Sequence, residues 1–312
     1  MKNSVLGFIS VFLLSVFLCV PADDAAAKTK LIPSHLLYSG GNVPGLSWGG
    51  NWDEVPADSA SPWNMELRGQ LNGSQASYRN WEQGGVNTLA IKAGTNFNAR
   101  YRQESFGYNL NIGLEYGQAK IDDDYRKTDD EISVRNTFRW FFEDDRWSMV
   151  SNVNFLSQFD VGEDNAGEVV VSRFLAPAYI TETLGISYQP VSYFSAEFGA
   201  SSRQTIVRDT DLSTRYGLDE DDTFRNELGF SFLLQFDKEI WENLRYVSSL
   251  ETFSNAQQHL DRSDFTFNNE IIGSINSILN ANLRFTMLYR DDVSNKIQIR
   301  QTLSLGLSFK LI

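Results

Sequence analysis

The chain has 312 residues, a formal net charge of -13 and an aromatic content of 13%. The acidic balance argues against a nucleic-acid partner, which would select a basic face. Mean hydropathy is negative, as in many water-soluble proteins, but also as expected of a membrane barrel, where only alternate residues meet lipid.

In chain order, residues 1–27 read as a cleaved signal peptide. Lys2 gives a positive start, Val5 to Val20 is almost wholly apolar, and Ala25-Ala26-Ala27 offers a small-residue cleavage site. Cys19 would mark a lipoprotein only after a small residue, and Leu18 precedes it. The mature chain then starts near Lys28 without cysteine, which excludes disulfides and thiol chemistry. Residues 28–62 are rich in Gly, Ser and Pro and contain Trp48-Gly-Gly-Asn-Trp52. They form either a periplasmic pre-barrel segment or a plug folded into the lumen. No later stretch approaches the roughly 18 apolar residues of a membrane helix.

From residue 63 the chain alternates. Over 106–117 one face reads Phe106, Tyr108, Leu110, Ile112, Leu114, Tyr116 and the other Gly107, Asn109, Asn111, Gly113, Glu115, Gly117. Strict alternation of that length fits a tilted membrane strand of about 9–11 residues better than a soluble strand of about 5–6. The pattern recurs over 222–236 and 296–311, and more weakly over 63–77, 86–101, 131–142, 147–158, 172–188, 193–207, 244–254, 263–277 and 282–290. The prediction is an all-β, antiparallel, up-and-down transmembrane barrel of twelve strands across 63–312, with ten or fourteen as alternatives. An even number suits a single-chain bacterial barrel.

The connections divide by length. Those at 103–104, 143–146, 190–192, 238–243 and near 279 are short. Those at 78–85, 118–130, 160–171, 208–221 and 255–262 are long and polar, and only 291–295 breaks the rule. Short periplasmic turns and long extracellular loops are the expected asymmetry. Aromatics follow it: Trp63, Tyr101, Phe106, Trp140, Trp147, Tyr188, Tyr193, Phe236, Trp241 and Phe309 fall at one set of strand ends, and Tyr116, Phe159, Phe224, Phe253, Phe265 and Tyr289 at the other. Two such belts match the two headgroup levels of a bilayer.

The predicted lumen carries Lys92, Arg100, Glu115, Arg135, Arg139, Arg225, Glu227, Glu251, Glu270, Arg284 and Arg300. Charges inside a dry barrel are costly unless paired. The lumen is therefore either a narrow aqueous pore with a slightly basic lining or an interior laced with ion pairs. The hairpin after Tyr101 places Lys92 near Glu115 if its turn has about four residues. The acidic runs Asp122-Asp-Asp124, Asp129-Asp130, Glu163-Asp164 and Asp219-Glu-Asp-Asp222 lack calcium-hand spacing and read as solvated loops. Of the two histidines, His35 lies before the barrel. His259 lies in an outer loop near Asp261, Ser263 and Asp264, a minimal set for a rim hydrolase but without a Gly-x-Ser-x-Gly element. The chain is read as a non-enzyme with no metal site. Trp81, Gly84, Gly85 and Asn87 form an outer-loop motif whose glycines suit a hairpin turn.

Trp81-Glu-Gln-Gly-Gly-Val-Asn87, Tyr116-Gly-Gln-Ala-Lys120, Arg126-Lys-Thr-Asp-Asp130, Gln158-Phe-Asp160, Ser172-Arg-Phe-Leu-Ala-Pro-Ala-Tyr179 and Leu184-Gly-Ile-Ser-Tyr-Gln-Pro190 occur in that order. Together they resemble an uncharacterised family of outer-membrane barrels of the Bacteroidetes and their relatives, catalogued only as a domain of unknown function. The resemblance spans roughly residue 63 to the C-terminus and implies a barrel at the cell outer membrane; no activity is established for the family, so none carries over. The chain departs from the usual aromatic last residue of such barrels, ending Phe309-Lys-Leu-Ile312. The expected function is a passive porin-like pore for small solutes. The alternative is a closed structural or partner-binding barrel in a surface-assembly or secretion system. Expected partners are outer-membrane lipid, lipopolysaccharide and the barrel-insertion machinery, and no cofactor is expected.

Overall fold

The computed structural model describes residues 61–76, 88–121, 124–163, 169–257, 263–290 and 294–311. The signal peptide, the pre-barrel segment up to residue 60, the Trp81–Asn87 motif and His259 lie outside the described residues. The strands are β1 (Trp63–Ala76), β2 (Thr88–Gln103), β3 (Phe106–Ile121), β4 (Asp124–Phe141), β5 (Trp147–Ser157), β6 (Gly162–Glu163), β7 (Val170–Ser172), β8 (Ala178–Val191), β9 (Phe194–Ile206), β10 (Phe224–Trp241), β11 (Leu244–Asn255), β12 (Asp264–Ser274), β13 (Leu279–Arg290) and β14 (Ser294–Lys310). Twelve of them close into one antiparallel barrel in the order β1-β14-β13-β12-β11-β10-β9-β8-β5-β4-β3-β2. β6 and β7 form a separate two-stranded ribbon. Closure comes from β1 against β14, with Arg68 opposite Lys310 and Gly73 opposite Leu305, so the barrel has no open edge strand.

Period-two alternation becomes two faces of opposite polarity. Leu303 is 73% exposed, Ile299 61% and Leu228 60%, on the outer face. Asn96, Asn109, Asn111, Glu115 and Arg135 are buried on the inner face. This inverts the arrangement of a water-soluble β protein, in which apolar side chains fill the interior. An outward apolar band around a closed barrel with a polar interior is the transmembrane solution to backbone hydrogen bonding in lipid. No helix among the described residues is long and apolar enough to cross a membrane.

The two-residue turns Glu104-Ser105, Ser192-Tyr193 and Glu242-Asn243 define a short-turn end. Asn243 sits at φ 61°, a left-handed conformation that Asn tolerates well. Outside that end runs a belt of ring contacts: Trp63 to Tyr101 at 5.1 Å, Phe106 to Trp140 at 5.8 Å, Trp147 to Tyr188 at 4.4 Å and Tyr193 to Phe236 at 5.7 Å.

Three expectations are corrected. Residues 118–130 are not a long loop, because β3 and β4 stay paired out to Ile121 opposite Asp124, with a bulge beside Gly117. Backbone pairing continues there past the apolar alternation, so Asp129 and Asp130 belong to a strand. Residues 172–188 are not one strand: β7 ends at Ser172 and β8 begins at Ala178, with a cis Ala176–Pro177 bond between them. Pro177 offers no backbone donor, so a ladder could not run through it unbroken. Phe253 belongs to no outer belt. It shares the inward face with Glu251, is 8% exposed, and lies beneath the Arg203 guanidinium at 4.1 Å.

Candidate functional site

The lumen is the candidate site. Strand alternation aims every second side chain into it, and the ring order decides which of them meet. In the β1–β4 quadrant Lys92 lies 3.3 Å from Glu115 and 3.8 Å from Asp129. Gln70 donates to Glu115 at 3.2 Å. Arg300 of β14 reaches Asp129 at 2.5 Å. Arg284 and Glu270, paired in register across β12 and β13, are 3.5 Å apart. Arg225 lies 3.2 Å from Glu227. Arg100 is inward near the short-turn end, in register with Asn64 and Asn109.

Several contacts run across the lumen and not along its wall. Arg135 on β4 donates to Glu251 on β11 at 3.1 Å. These strands are five places apart in a ring of twelve, close to diametrically opposed. Arg290 on β13 lies 4.2 Å above the Tyr179 ring on β8, again five places away. Arg139 on β4 donates to Glu197 on β9 and, at 2.7 Å, to Ser187 on β8. Arg203 on β9 joins Glu227 at 3.0 Å to Asp264 on β12 at 2.5 Å. Arg135, Arg139 and Arg203 spend their planar forks on carboxylates, the geometry that suits bidentate and networked pairing.

The sequence reading did not include Glu197, Arg203, Asp129 and Asp264 among the lumen charges. Glu197 and Arg203 lie on the polar parity of 193–207, so the rule that found Arg135 could have found them. Asp129 fell in the presumed loop 118–130, and Asp264 at a presumed strand end, where parity is least certain. Of the predicted charges, Arg135 with Glu251, Lys92 with Glu115, Arg284 with Glu270, and Arg225 with Glu227 are brought together. Arg139 and Arg300 instead meet Glu197 and Asp129.

Two cavities flank this network and share no lining residue. One, about 100 Å³, is lined by Arg135, Asn152, Glu197, Arg203 and Glu251. The other, about 440 Å³, lies at the short-turn end between β1 and β11–β14.

The loop end carries a cap. A 3₁₀ segment, Thr210–Tyr216, is capped by the Asp209 side chain and ended by Gly217 at φ 72°. Ala176, Val207, Leu212, Tyr216 and Leu218 form a buried apolar cluster, and the Tyr216 hydroxyl donates to the Val171 carbonyl at 2.7 Å. Burial raises the Tyr216 hydroxyl well above the usual tyrosine range. Asp130 fastens the neighbouring turn by accepting from the backbone N–H of Phe159 at 2.7 Å and of Asp160 at 2.8 Å, while pairing with Lys127 at 2.7 Å. Asp160 in turn accepts from the Tyr116 hydroxyl at 2.9 Å. That bond, with the Val161 N–H, holds the Asp160 carboxyl below its ordinary range.

Among the described residues no cluster of three or more His, Cys, Asp or Glu has the placement of a metal site. The family model "Protein of unknown function (DUF3078)" matches residues 74–162, from the end of β1 to the start of β6. A comparison with curated proteins gives no match. Among solved structures, the translocator domain of the autotransporter NalP from Neisseria meningitidis is similar at 13% identity and TM-score 0.33, over 82% of this chain and 91% of that one. An outer membrane channel from Pseudomonas putida F1 is similar at 6% identity and TM-score 0.39, over 83% and 97%. The NanC porin is similar at 10% identity and TM-score 0.36, over 80% and 100%. At these scores the likeness carries no functional inference.

Proposed function

We propose that this chain is an outer-membrane β-barrel that is closed at rest and serves as a rigid, partner-binding base for its loop-end cap. The observation that carries the reading is the Arg135–Glu251 pair at 3.1 Å across nearly the full width of the ring. Arg290 over Tyr179 adds a second span, at 4.2 Å. A freely open pore would keep such charges against the wall, where they focus ions without blocking them. The outward apolar band supports the membrane address, with export through a cleaved signal and folding by the barrel-insertion machinery. Lipid and lipopolysaccharide contact the outer face. The reading includes no catalysis and no cofactor.

The passive-pore reading keeps one observation in its favour: cavities of about 440 and 100 Å³ along the barrel, the larger of them mostly polar. Swelling of proteoliposomes in isotonic sugar separates the two. A closed barrel leaves swelling at the level of protein-free vesicles. Swelling by a small sugar in proportion to protein content would replace this reading with the pore.

A further inference from the structure

The short-turn cavity is set apart from the ion-pair network by the sign of its wall. Arg68 on β1 and Arg245 on β11 are the only charged residues among the described residues that line it. Most of the remaining wall is amide and hydroxyl, including Gln70, Asn276, Ser277 and Asn280. Its volume, about 440 Å³, lies within the roughly 300–1,000 Å³ of small-molecule sites. β1 and β11 stand four places apart in the ring of twelve, so the two guanidinium groups approach the cavity from separate walls.

The carboxylates beside these arginines do not line the cavity. Arg68 gives Nε to Glu66 at 2.5 Å, and Arg245 gives Nε and a terminal nitrogen to Asp237 at 2.6 Å each. Glu239, opposite Arg245 in register, accepts from the Asn243 backbone N–H at 3.2 Å. Arg68 makes no other side-chain hydrogen bond or ion pair among the described residues, so the two terminal nitrogens of its fork keep all their donors. Its side chain is 34% exposed, and neither terminal nitrogen is sealed from solvent.

Lys310 is a second, independent sign of an anion. It stands directly opposite Arg68 across the β1–β14 seam, in step with Gly306 and Ser308 of the cavity wall. Among the described residues it makes no ion pair. Like charges set directly opposite each other on paired strands are destabilising. A bound anion relieves that repulsion, and a guanidinium fork matches the oxygens of a carboxylate or phosphate group.

We infer that the short-turn vestibule is a binding site for a compact anion with two oxyanion groups, one held by the Arg68 fork beside Lys310 and the other by Arg245. The site does not depend on whether the lumen conducts. Swelling reads permeation and calorimetry reads the vestibule, so either reading can fail alone.

The test is isothermal titration calorimetry on the refolded mature chain in uncharged detergent micelles. Citrate is the carboxylate probe, pyrophosphate the phosphate probe and glucose the uncharged comparator. Citrate and pyrophosphate are expected to compete for one site, the tighter of them naming the preferred oxyanion, and glucose to give no heat. Arg68→Gln and Arg245→Gln each weaken anion binding roughly tenfold or more, as loss of a charge-assisted hydrogen bond implies. Arg68→Lys keeps the charge but not the fork, and falls between. Arg173→Gln, which removes a cation paired with Asp209 in the cap, leaves binding unchanged. Heat-modifiable gel mobility reports the fold throughout, and Arg68→Gln decides if Arg245→Gln misfolds. No heat with either anion would overturn the inference. So would equal binding by wild type and Arg68→Gln, or glucose binding as tight as that of the anions.

Discussion

At the short-turn end of the barrel the large apolar side chains lie outside; at the loop end a cluster of them is folded inside. Trp63, Tyr101, Phe106 and Trp140 contact one another around the outer wall, and their stabilisation needs a bilayer interface to partition into. Leu212, Tyr216 and Leu218 instead bury one another beneath the cap, with Val207 and Ala176, as in a small water-soluble domain. The short-turn end is thus stabilised by its solvent, and the loop end by its own packing. Between them, ion pairs span the lumen and depend on neither. Perturbations of the three regions should therefore differ in size and in what reports them.

The largest effect is expected on the lipid face. Leu303→Arg places a cation where the side chain is 73% exposed to hydrocarbon. It should destabilise the folded barrel by about 2–4 kcal/mol if the position is near the midplane, read by urea titration in vesicles. An unchanged midpoint would break the assignment of that face to lipid.

In the lumen, Glu197→Gln removes the charge that faces Arg139 and keeps the hydrogen bond from Asn152, now 3.0 Å. Both partners are under a tenth exposed, so the loss should be on the order of 2 kcal/mol. Arg139→Met in the same background should recover part of it, because an apolar replacement of both partners removes the unpaired charge. A double variant no better than the single would mean that Glu197 acts alone.

A smaller, local effect is expected in the cap. Tyr216→Phe loses the bond to the Val171 carbonyl at about 1 kcal/mol. Protease cleavage of the loop-end segments should rise while the heat-modifiable mobility of the barrel stays fixed. Global unfolding instead would show that cap and barrel form one cooperative unit.

The smallest effect is a pH dependence of the turn after β5. The Asp160 carboxyl is held below its ordinary value by Tyr116 and the Val161 N–H. A depressed carboxyl contributes stability above the unfolded value, about 4. That contribution is lost as pH falls through the lower folded value. Hydrogen exchange at Val161 should therefore accelerate only in acid, and Asp160→Asn should flatten the profile. Exchange independent of pH in the wild type, after correction for intrinsic rates, would remove Asp160 from the clamp.

How much of this was legible in the sequence follows from what alternation encodes. It encodes facing, so the twelve strands and the inward set from Lys92 to Arg300 could be read from parity. It does not encode reach. Whether Arg135 lies along its wall or meets Glu251 depends on ring order, which only the closed barrel supplies. Parity also fails where pairing outlasts the membrane, as in the β3–β4 hairpin, whose acidic residues look like a loop while their backbones remain paired.

The central claim is that side-chain pairs spanning the lumen close the barrel. It is tested most directly by single-channel current in planar bilayers, comparing the wild type with Arg135→Ser/Glu251→Ser. A silent wild type and a variant with steady, resolvable current steps is the predicted result. Steady conductance in the wild type would contradict the claim, and a variant as silent as the wild type would show that this pair is not what closes the lumen.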